Sequence, residues 1–511
     1  MSTTENQQSM TVSVDAAEGI RAGAAARARV IPAPVVEVLR MLHDAGYEAF
    51  VVGGCVRDVL LQRTPQDWDV TTNAHPEEVQ AVFPDSFYEN DFGTVGVKVA
   101  PFLPHGDTAR THDIIEVTTY RTESAYSDHR RPDTVQFVQT LHQDLARRDF
   151  TMNAIAMTED GVLRDPFNGR RAITQRQIVA VGDAATRFRE DALRMMRAVR
   201  FAAQLRFVID PDTRTAIRDH AKLLRKIAME RIRDEFSKIV LSDHSMQGIQ
   251  LLHDTGLLAQ FLPELEEGIG VEQNHHHIYT VWEHNLRALQ TCPSSKLSVR
   301  LGTLLHDVGK PRAKRGTGRN CTFYNHEYIG ERMTRKILTR LRYPKQVVRH
   351  AALLVRNHMF YYSVGEVTET AVRRVIAKVG RENIKDLLDL RIGDRLGSGS
   401  AKAMPYKLRH FQYMVDKVSN DAVSVKMLKI NGNTLITELG LTPGPKVGAV
   451  LDALLAEVID DAAKNTRAYL LTRAAELAAQ DIEELRRAAR ERIRRQRAED
   501  DAALRRKYRV R

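Results

Sequence analysis

A change of pattern near residue 165 constrains this chain more than any other feature. Before it, short β-rich apolar runs alternate with helical segments; after it, only helical periodicity remains. The strand-like runs are Glu48–Val52, Asp67–Thr71, Thr94–Val99, Ile114–Tyr120 and Val135–Val138. Apolar side chains at helical spacing mark Val35–Ala45 and Val56–Gln62. From Arg187 onward the helices predicted are Asp191–Leu205, Asp212–Leu224 and Met229–Leu241, and the pattern stays helical to the end. Strands gathered first and helices afterwards predict an α+β fold, a small mixed β-sheet head followed by an all-helical remainder.

At ~100–200 residues per domain, 511 residues correspond to about three or four domains. The expected division is a loose N-terminal arm (1–30), the mixed head (31–165), a helical neck (166–270), a histidine-bearing helical domain (271–400) and a basic helical C-terminal region (401–511). Mean hydropathy is negative, and apolar runs such as Ala351–Val355 fall far short of the ~20 residues of a membrane span, which excludes a bilayer protein. Met1–Gln8 carries neither a basic start nor an apolar stretch, so no signal peptide is expected. Three cysteines without a CxxC exclude a disulfide scaffold and suit a reducing cytoplasm. Lys and Arg number 76 against 65 Asp and Glu, a formal charge of +11 that suggests an anionic partner. The basic residues are dense between Arg187 and Lys226 and again in Asp481–Arg511, which reads as a charged helix whose default is solvation.

Gly53-Gly54 separates an apolar strand from a helix bearing Arg57. Glycines let the backbone turn and approach an anion, although Gly-Gly before a helix also serves as a plain turn. Asp67 and Asp69 add chemistry, because residues i and i+2 of a strand face the same way and two converging carboxylates suit Mg²⁺. A charged residue in the apolar run Ile114–Val117 needs a partner, and Glu116 could find it in a shared metal or in Arg121. Arg147-Arg148-Asp149-Phe150-Thr151 offers two guanidiniums that could clamp a triphosphate or merely cap a helix. Glu190-Asp191 followed by Arg194, Arg197 and Arg200 repeats at three-residue spacing. On one helix Asp191, Arg194 and Arg197 would share a face, either as a base- and phosphate-reading surface or as i,i+3 salt bridges.

Val-Val-Gly-Gly-x-Val-Arg-Asp, then DxD, then RRDFTxNA, then EDxxR, in this order over roughly residues 35–260, resembles the bacterial tRNA nucleotidyltransferase/poly(A) polymerase family. These are class II members of the polymerase-β nucleotidyltransferase superfamily. The resemblance implies that the head is a nucleotidyltransferase domain in which Asp67 and Asp69, with Glu116, form the Mg²⁺-dependent catalytic centre. It implies that Gly54, Arg57 and Arg148 contact nucleotide phosphates, and that Asp191 and Arg194 pair with cytosine or adenine. Arg197 and Arg200 would then support nucleotide or primer phosphates. Glu123–Pro132, with Arg130-Arg131, corresponds to the loop such enzymes use in switching from C to A. The implied partners are tRNA, CTP and ATP, and the oligomeric state is left open.

Eighteen histidines are unevenly spread. His306-Asp307 follows the apolar helix Leu301–Leu305, with His284, His326, His358 and Asp394 on other segments. A His-Asp doublet with further His and Asp on separate helices points to a metal, and imidazole with carboxylate suits Mn²⁺, Ni²⁺, Zn²⁺ or Fe²⁺. His275-His276-His277 reads as a loop outside that site. The order H…HD…D over about 275–400 resembles the HD-domain metal-dependent phosphohydrolases. That resemblance implies core ligands His284, His306, Asp307 and Asp394, with His326 and His358 permitting a second metal, and hydrolysis of a phosphoester.

Together the two resemblances predict template-independent addition of CCA to tRNA by an actinobacterial-like enzyme carrying an HD domain. The alternative on the same head is a poly(A) polymerase or an A-adding-only relative. Alarmone enzymes also join hydrolase and nucleotidyltransferase modules, but there the hydrolase comes first.

Overall fold

The computed structural model describes residues 26–27, 30–90, 93–98, 114–124, 134–273, 278–360, 362–399, 404–419 and 425–510. The N-terminal arm up to residue 25 and His275-His276-His277 lie outside the described residues, as does most of the Glu123–Pro132 loop with Arg130-Arg131. The chain forms two compact units. The first holds residues 1–272, 279–290 and 333–349, the second 273–278, 291–332 and 350–511.

The first unit begins with the amphipathic helix Ala33–Asp44, which buries Val35, Val38, Leu39 and Leu42. Among the described residues nine head strands follow in chain order: β1 (Ala49–Val52), β2 (Asp69–Thr72), β3 (Ser86–Asn90), β4 (Thr94–Lys98), β5 (Ile114–Thr119), β6 (Arg121–Ser124), β7 (Thr134–Phe137), β8 (Ala156–Met157) and β9 (Leu163–Arg164). Seven of them make one sheet in the order β3-β4-β5-β2-β1-β8-β9. The β2/β5 pair is parallel and its neighbours are antiparallel, so the sheet is mixed, as expected. β6 and β7 form a separate hairpin, from which Glu123 and Ser124 lead into the undescribed loop. Val52 of β1 and Ala156 of β8 pack with Leu145, Ala154 and Val181 as one apolar cluster. Strand β3 escapes sequence reading because Ser-Phe-Tyr-Glu-Asn has no clean alternation; it is held by pairing with β4.

The rest of the described first unit is mainly helical, including Ala184–Glu190, Leu193–Leu205, Pro211–His220 and Met229–Val240. The second unit is helical, with one apolar cluster built on Leu387, Leu390, Phe411 and Tyr413 and another on Val450, Leu454, Leu470 and Ala474. The terminal helix Ile482–Tyr508 is not solvated all round. Leu485 and Ala489 are buried in the second cluster, and Val510 belongs to the first. Tyr508 donates its hydroxyl to Asp416 at 2.6 Å, fastening the far end of the helix. No described helix is long and apolar enough to cross a membrane.

Candidate active site and histidine centre

The turn after β1 sets the head site. Gly53 takes φ +88°, and a Cβ there would stand 3.0 Å from Arg148 Nη1 and 3.6 Å from Asp69 Oδ2. A left-handed backbone and this crowding both demand glycine. Backbone, carboxylate and guanidinium thus meet at one point. The β1/β2 register pairs Val52 with Asp69, and the β2/β5 register pairs Asp69 with Glu116. Asp67 is exposed and precedes the strand, which starts at Asp69. Burial raises the Asp69 carboxyl; Arg148 opposes that rise and the negative charge of Asp67 adds to it. A half-buried carboxylate whose ionisation a second carboxylate nearby opposes, with oxygen donors only, fits a divalent cation such as Mg²⁺.

Arginines surround this point, each with an internal partner. Arg57 donates from Nη1 to Asn153 Oδ1 at 2.9 Å and from Nε to Asp58 at 3.0 Å. Buried Asp144 accepts from Arg147 Nε at 2.9 Å, Arg148 Nη2 at 3.3 Å and Thr71 Oγ1 at 3.3 Å. Burial alone would raise Asp144, but the two guanidiniums outweigh it and hold the carboxyl below its ordinary range. Asp149 accepts from Arg197 Nε at 2.7 Å and from Asn153 Nδ2 at 3.1 Å. Arg200 pairs with Glu235 at 2.8 Å.

Asp191 departs from the expected helix face. It lies between two helices with extended backbone (φ −136°, ψ 104°), and its Oδ1 accepts from Leu193 N at 3.0 Å. An aspartate competes with helix hydrogen bonding by capping the next segment, so the helix starts at Leu193. Both Asp191 oxygens also accept from Arg231, at 2.6 and 3.3 Å. Arg194 is only 8% exposed and donates to Glu190 at 2.5 Å and to the carbonyls of Arg187 and Arg147. Arg194, Arg197 and Arg200 remain on one helix, Leu193–Leu205.

In the second unit, His306 follows the helix Leu297–Leu305, His326 opens another, His358 follows Lys345–Asn357, and Asp394 lies in Ile384–Gly397. Each of the three imidazoles engages a backbone carbonyl through Nδ1: His306 that of Thr303 (2.8 Å), His326 that of Phe323 (2.8 Å), His358 that of Val355 (2.7 Å). Their Nε2 atoms turn inward. His326 and His358 reach Asp307 Oδ1 at 3.3 and 3.7 Å, while His306 reaches Asp307 Oδ2 at 3.3 Å and Asp394 Oδ1 at 3.7 Å. Asp307, His326 and His358 offer ligand atoms close enough to share one ion. Gly309 makes room, because a Cβ there would strike the His326 carbonyl at 2.3 Å. Burial disfavours charge on His306, yet Asp307 and Asp394 push it up to about 10, while burial brings His358 down to about 4. Carboxylates facing the inward Nε2 atoms, with imidazoles oriented through Nδ1, fit a transition-metal ion. Lys310 Nζ, 2.6 Å from Asp307, adds a cation beside it. His284 is fully buried on the helix Val281–Thr291, in the part counted with the first unit.

Three family models match: the poly A polymerase head domain at residues 49–179, the RNA and SrmB binding site of polymerase A at 206–269, and tRNA nucleotidyltransferase domain 2 at 327–474. The CCA-adding enzyme of Limosilactobacillus reuteri (strain DSM 20016) is 35% identical over 445 residues, covering 87% of this chain and 96% of that protein. The chain belongs to the CCA-adding enzyme family. The CCA-adding enzyme of Geobacillus thermodenitrificans is 48% identical over 232 residues, 45% of this chain and 54% of that protein. Among solved structures, the Bacillus stearothermophilus CCA-adding enzyme in complex with CTP aligns with a TM-score of 0.57 and 30% identity, over 87% of this chain and 98% of that one.

Several residues of this CCA-adding family member were not singled out from sequence. Asp144, Arg231 and Glu235 are counter-ions whose partners lie on other turns or other helices. Of these, only Asp144, three and four residues before Arg147 and Arg148, has a readable spacing.

Proposed function

We propose that this chain adds the 3′-terminal CCA to tRNA, taking nucleotides from CTP and ATP, releasing pyrophosphate and using no nucleic-acid template. The observation that carries this is the meeting of Gly53, Asp69 and Arg148, with Glu116 in register, in a chain whose near full-length relatives are CCA-adding enzymes. Those relatives favour CCA addition over the poly(A) polymerase or A-adding alternative. Asp67 and Asp69 would hold Mg²⁺, with Glu116 in the same catalytic group. Bound there, the ion would lower the pKa of the attacking hydroxyl and offset the charge of the leaving group. Gly54, Arg57 and Arg148 receive the triphosphate, and Arg197 and Arg200 support its phosphates or those of the primer. The tRNA 3′-hydroxyl gives up its proton to solvent as its oxygen attacks the α-phosphorus in line, the bond from that phosphorus to the oxygen bridging to the β-phosphate breaks, and the arginines hold the pyrophosphate as it leaves. Positioning and charge complementarity carry this chemistry, so no nucleophilic side chain is required. Asp191 and Arg194 read the base, sharing or exchanging their contacts with Arg231 and Glu190. Lys and Arg of the neck meet tRNA phosphates, which makes affinity salt-dependent while base choice rests elsewhere. The cytoplasm is the compartment this reading assigns.

Labelled CTP and ATP, offered with tRNAs ending before CCA, after C and after CC, test the proposal. Growth that stops at one complete CCA is the expected result. A run of A residues would assign poly(A) synthesis instead, and addition of A alone an A-adding enzyme.

The histidine centre favours a second activity. Residues 271–400 would act as an HD-type domain in which His306, Asp307 and Asp394, with His326 and His358, hold a transition metal of the Mn, Ni, Zn or Fe class. The inward-facing Nε2 atoms support this. A phosphoester such as a 2′,3′-cyclic phosphate is the proposed substrate, and its hydrolysis by the purified chain with each metal added is the measurement.

A further inference from the structure

Phe201 lies where three arginines meet. Its ring is 5% exposed, and the guanidinium carbons of Arg200, Arg57 and Arg197 stand 4.3, 5.2 and 5.5 Å from the ring centroid. Phe150, from the RRDFT segment, meets the ring edge-on at 5.9 Å and fixes its plane. Each arginine also has a carboxylate of its own. Asp58 lies 2.9 Å from Arg57, Asp149 2.7 Å from Arg197 and Glu235 2.8 Å from Arg200. Three cations this close repel one another. Burial is the main cause that lowers the pKa of Arg200, and the charges of Arg197 and Arg57 lower it further.

An aromatic face attracts guanidinium groups through its quadrupole, within about 6 Å of the centroid. Unlike a fourth carboxylate, it accepts no strong hydrogen bond and adds no formal negative charge. It can therefore gather cations without occupying their N–H donors or cancelling the charge a phosphate would meet. Leucine in its place would fill much of the space and supply none of that attraction.

We propose that Phe201 is a positioning residue for nucleotide binding, its ring gathering Arg57, Arg197 and Arg200 into one phosphate-facing cluster. This rests on the reading that those arginines bind nucleotide. The sequence places the ring directly after Arg200, and the fold brings Arg57 to it from the helical segment that follows β1.

The test compares Phe201→Leu and Phe201→Tyr with the unaltered chain, measuring KM and kcat for CTP and ATP on tRNA acceptors. Phe201→Leu should raise KM for both nucleotides about ten-fold, equivalent to about 1.4 kcal/mol, with the larger effect on KM rather than kcat. Phe201→Tyr should restore most of the affinity. A melting shift on adding inorganic pyrophosphate, present in the unaltered chain, should shrink in Phe201→Leu. Unchanged KM in Phe201→Leu, or equal losses in the Leu and Tyr variants, would overturn the proposal. Should Phe201→Leu not fold, Phe201→Met takes its place. Failure of both to fold while Phe201→Tyr is intact would make the ring a packing residue and overturn it equally. If the unaltered chain adds neither CMP nor AMP, the nucleotidyltransferase reading is at fault rather than the role of Phe201.

Discussion

Asp69 and Glu116 stand in register across the parallel strands β2 and β5. Paired residues on neighbouring strands project from the same face, so the second carboxylate is carried to the side where Asp69 meets Arg148. Glu116 is exposed, which leaves it accessible to substrate and cation. Glu116→Gln preserves size and removes the charge. It should lower kcat for nucleotide addition by about 10²-fold, as loss of one electrostatic group does, and raise the Mg²⁺ concentration needed for half-maximal rate. A variant that keeps its rate and Mg²⁺ dependence while losing stability would assign Glu116 to Arg121 instead.

Asp191 caps the helix Leu193–Leu205 and accepts two hydrogen bonds from Arg231, so its removal confounds base choice with structure. Asp191→Asn keeps an acceptor for the cap, whose loss costs about 1 kcal/mol, while removing the charge. The expected outcome is at least a roughly ten-fold fall in discrimination between CTP and ATP, because an amide would present a donor where the proposed reading has the base meet a carboxylate. Competition between the two nucleotides on one acceptor tRNA measures this directly. Preserved discrimination would remove Asp191 from the base-reading role.

The ordered motifs were legible because each one sits on a short local element. Gly53-Gly54 falls at the end of β1, and Asp69 at the start of β2, within two residues of the positions expected. What stayed hidden depends on elements crossing in space. Arg231 and Glu235 lie four apart on one helix and pair with Asp191 and Arg200, yet nothing local announces either partner. Phe201 looks like an ordinary core residue until Arg57, far off in sequence, is folded onto it. Asp191 was expected in a helix because spacing cannot reveal that its carboxylate takes the backbone hydrogen bond of Leu193. The inward turn of His326 and His358 was likewise invisible, since it depends on carbonyls holding each Nδ1.

Asp149 sets an acid limit on stability. Burial raises its carboxyl, but Arg197, Asn153 and Arg194 outweigh that and bring it from 3.8 to about 2. A group with a depressed folded-state pKa contributes stability that is complete above its unfolded value. That contribution fades as pH falls from about 4 toward 2, and it amounts to about 2 kcal/mol. Asp149→Asn should therefore be less stable than the unaltered chain at neutral pH, and the gap should narrow as pH drops through that window. Urea unfolding at a series of pH values reads this; a gap that stays constant would show that the carboxylate charge contributes nothing.

His358 separates the histidine centre from nucleotide addition. Its Nε2 faces Asp307 and His326, and its Nδ1 is held by Val355, so the ring is oriented as a ligand. His358→Gln removes a ligand nitrogen while leaving Asp307 its ion pair with Lys310, which avoids stranding a buried charge. Losing only a ligand's supporting hydrogen bond costs about 10- to 100-fold in metal affinity, so losing the ligand itself should cost at least that much. Elemental analysis after equilibration with Mn²⁺, Ni²⁺, Zn²⁺ or Fe²⁺ should show less bound ion than in the unaltered chain, and any phosphoester hydrolysis should fall with it. CMP and AMP addition should stay within about two-fold, because Asp67, Asp69 and the arginines of the head are untouched; sites that share no partners respond independently. Equal metal content in the two proteins would sink the ligand assignment. A parallel loss of CCA addition would instead tie the two chemistries together.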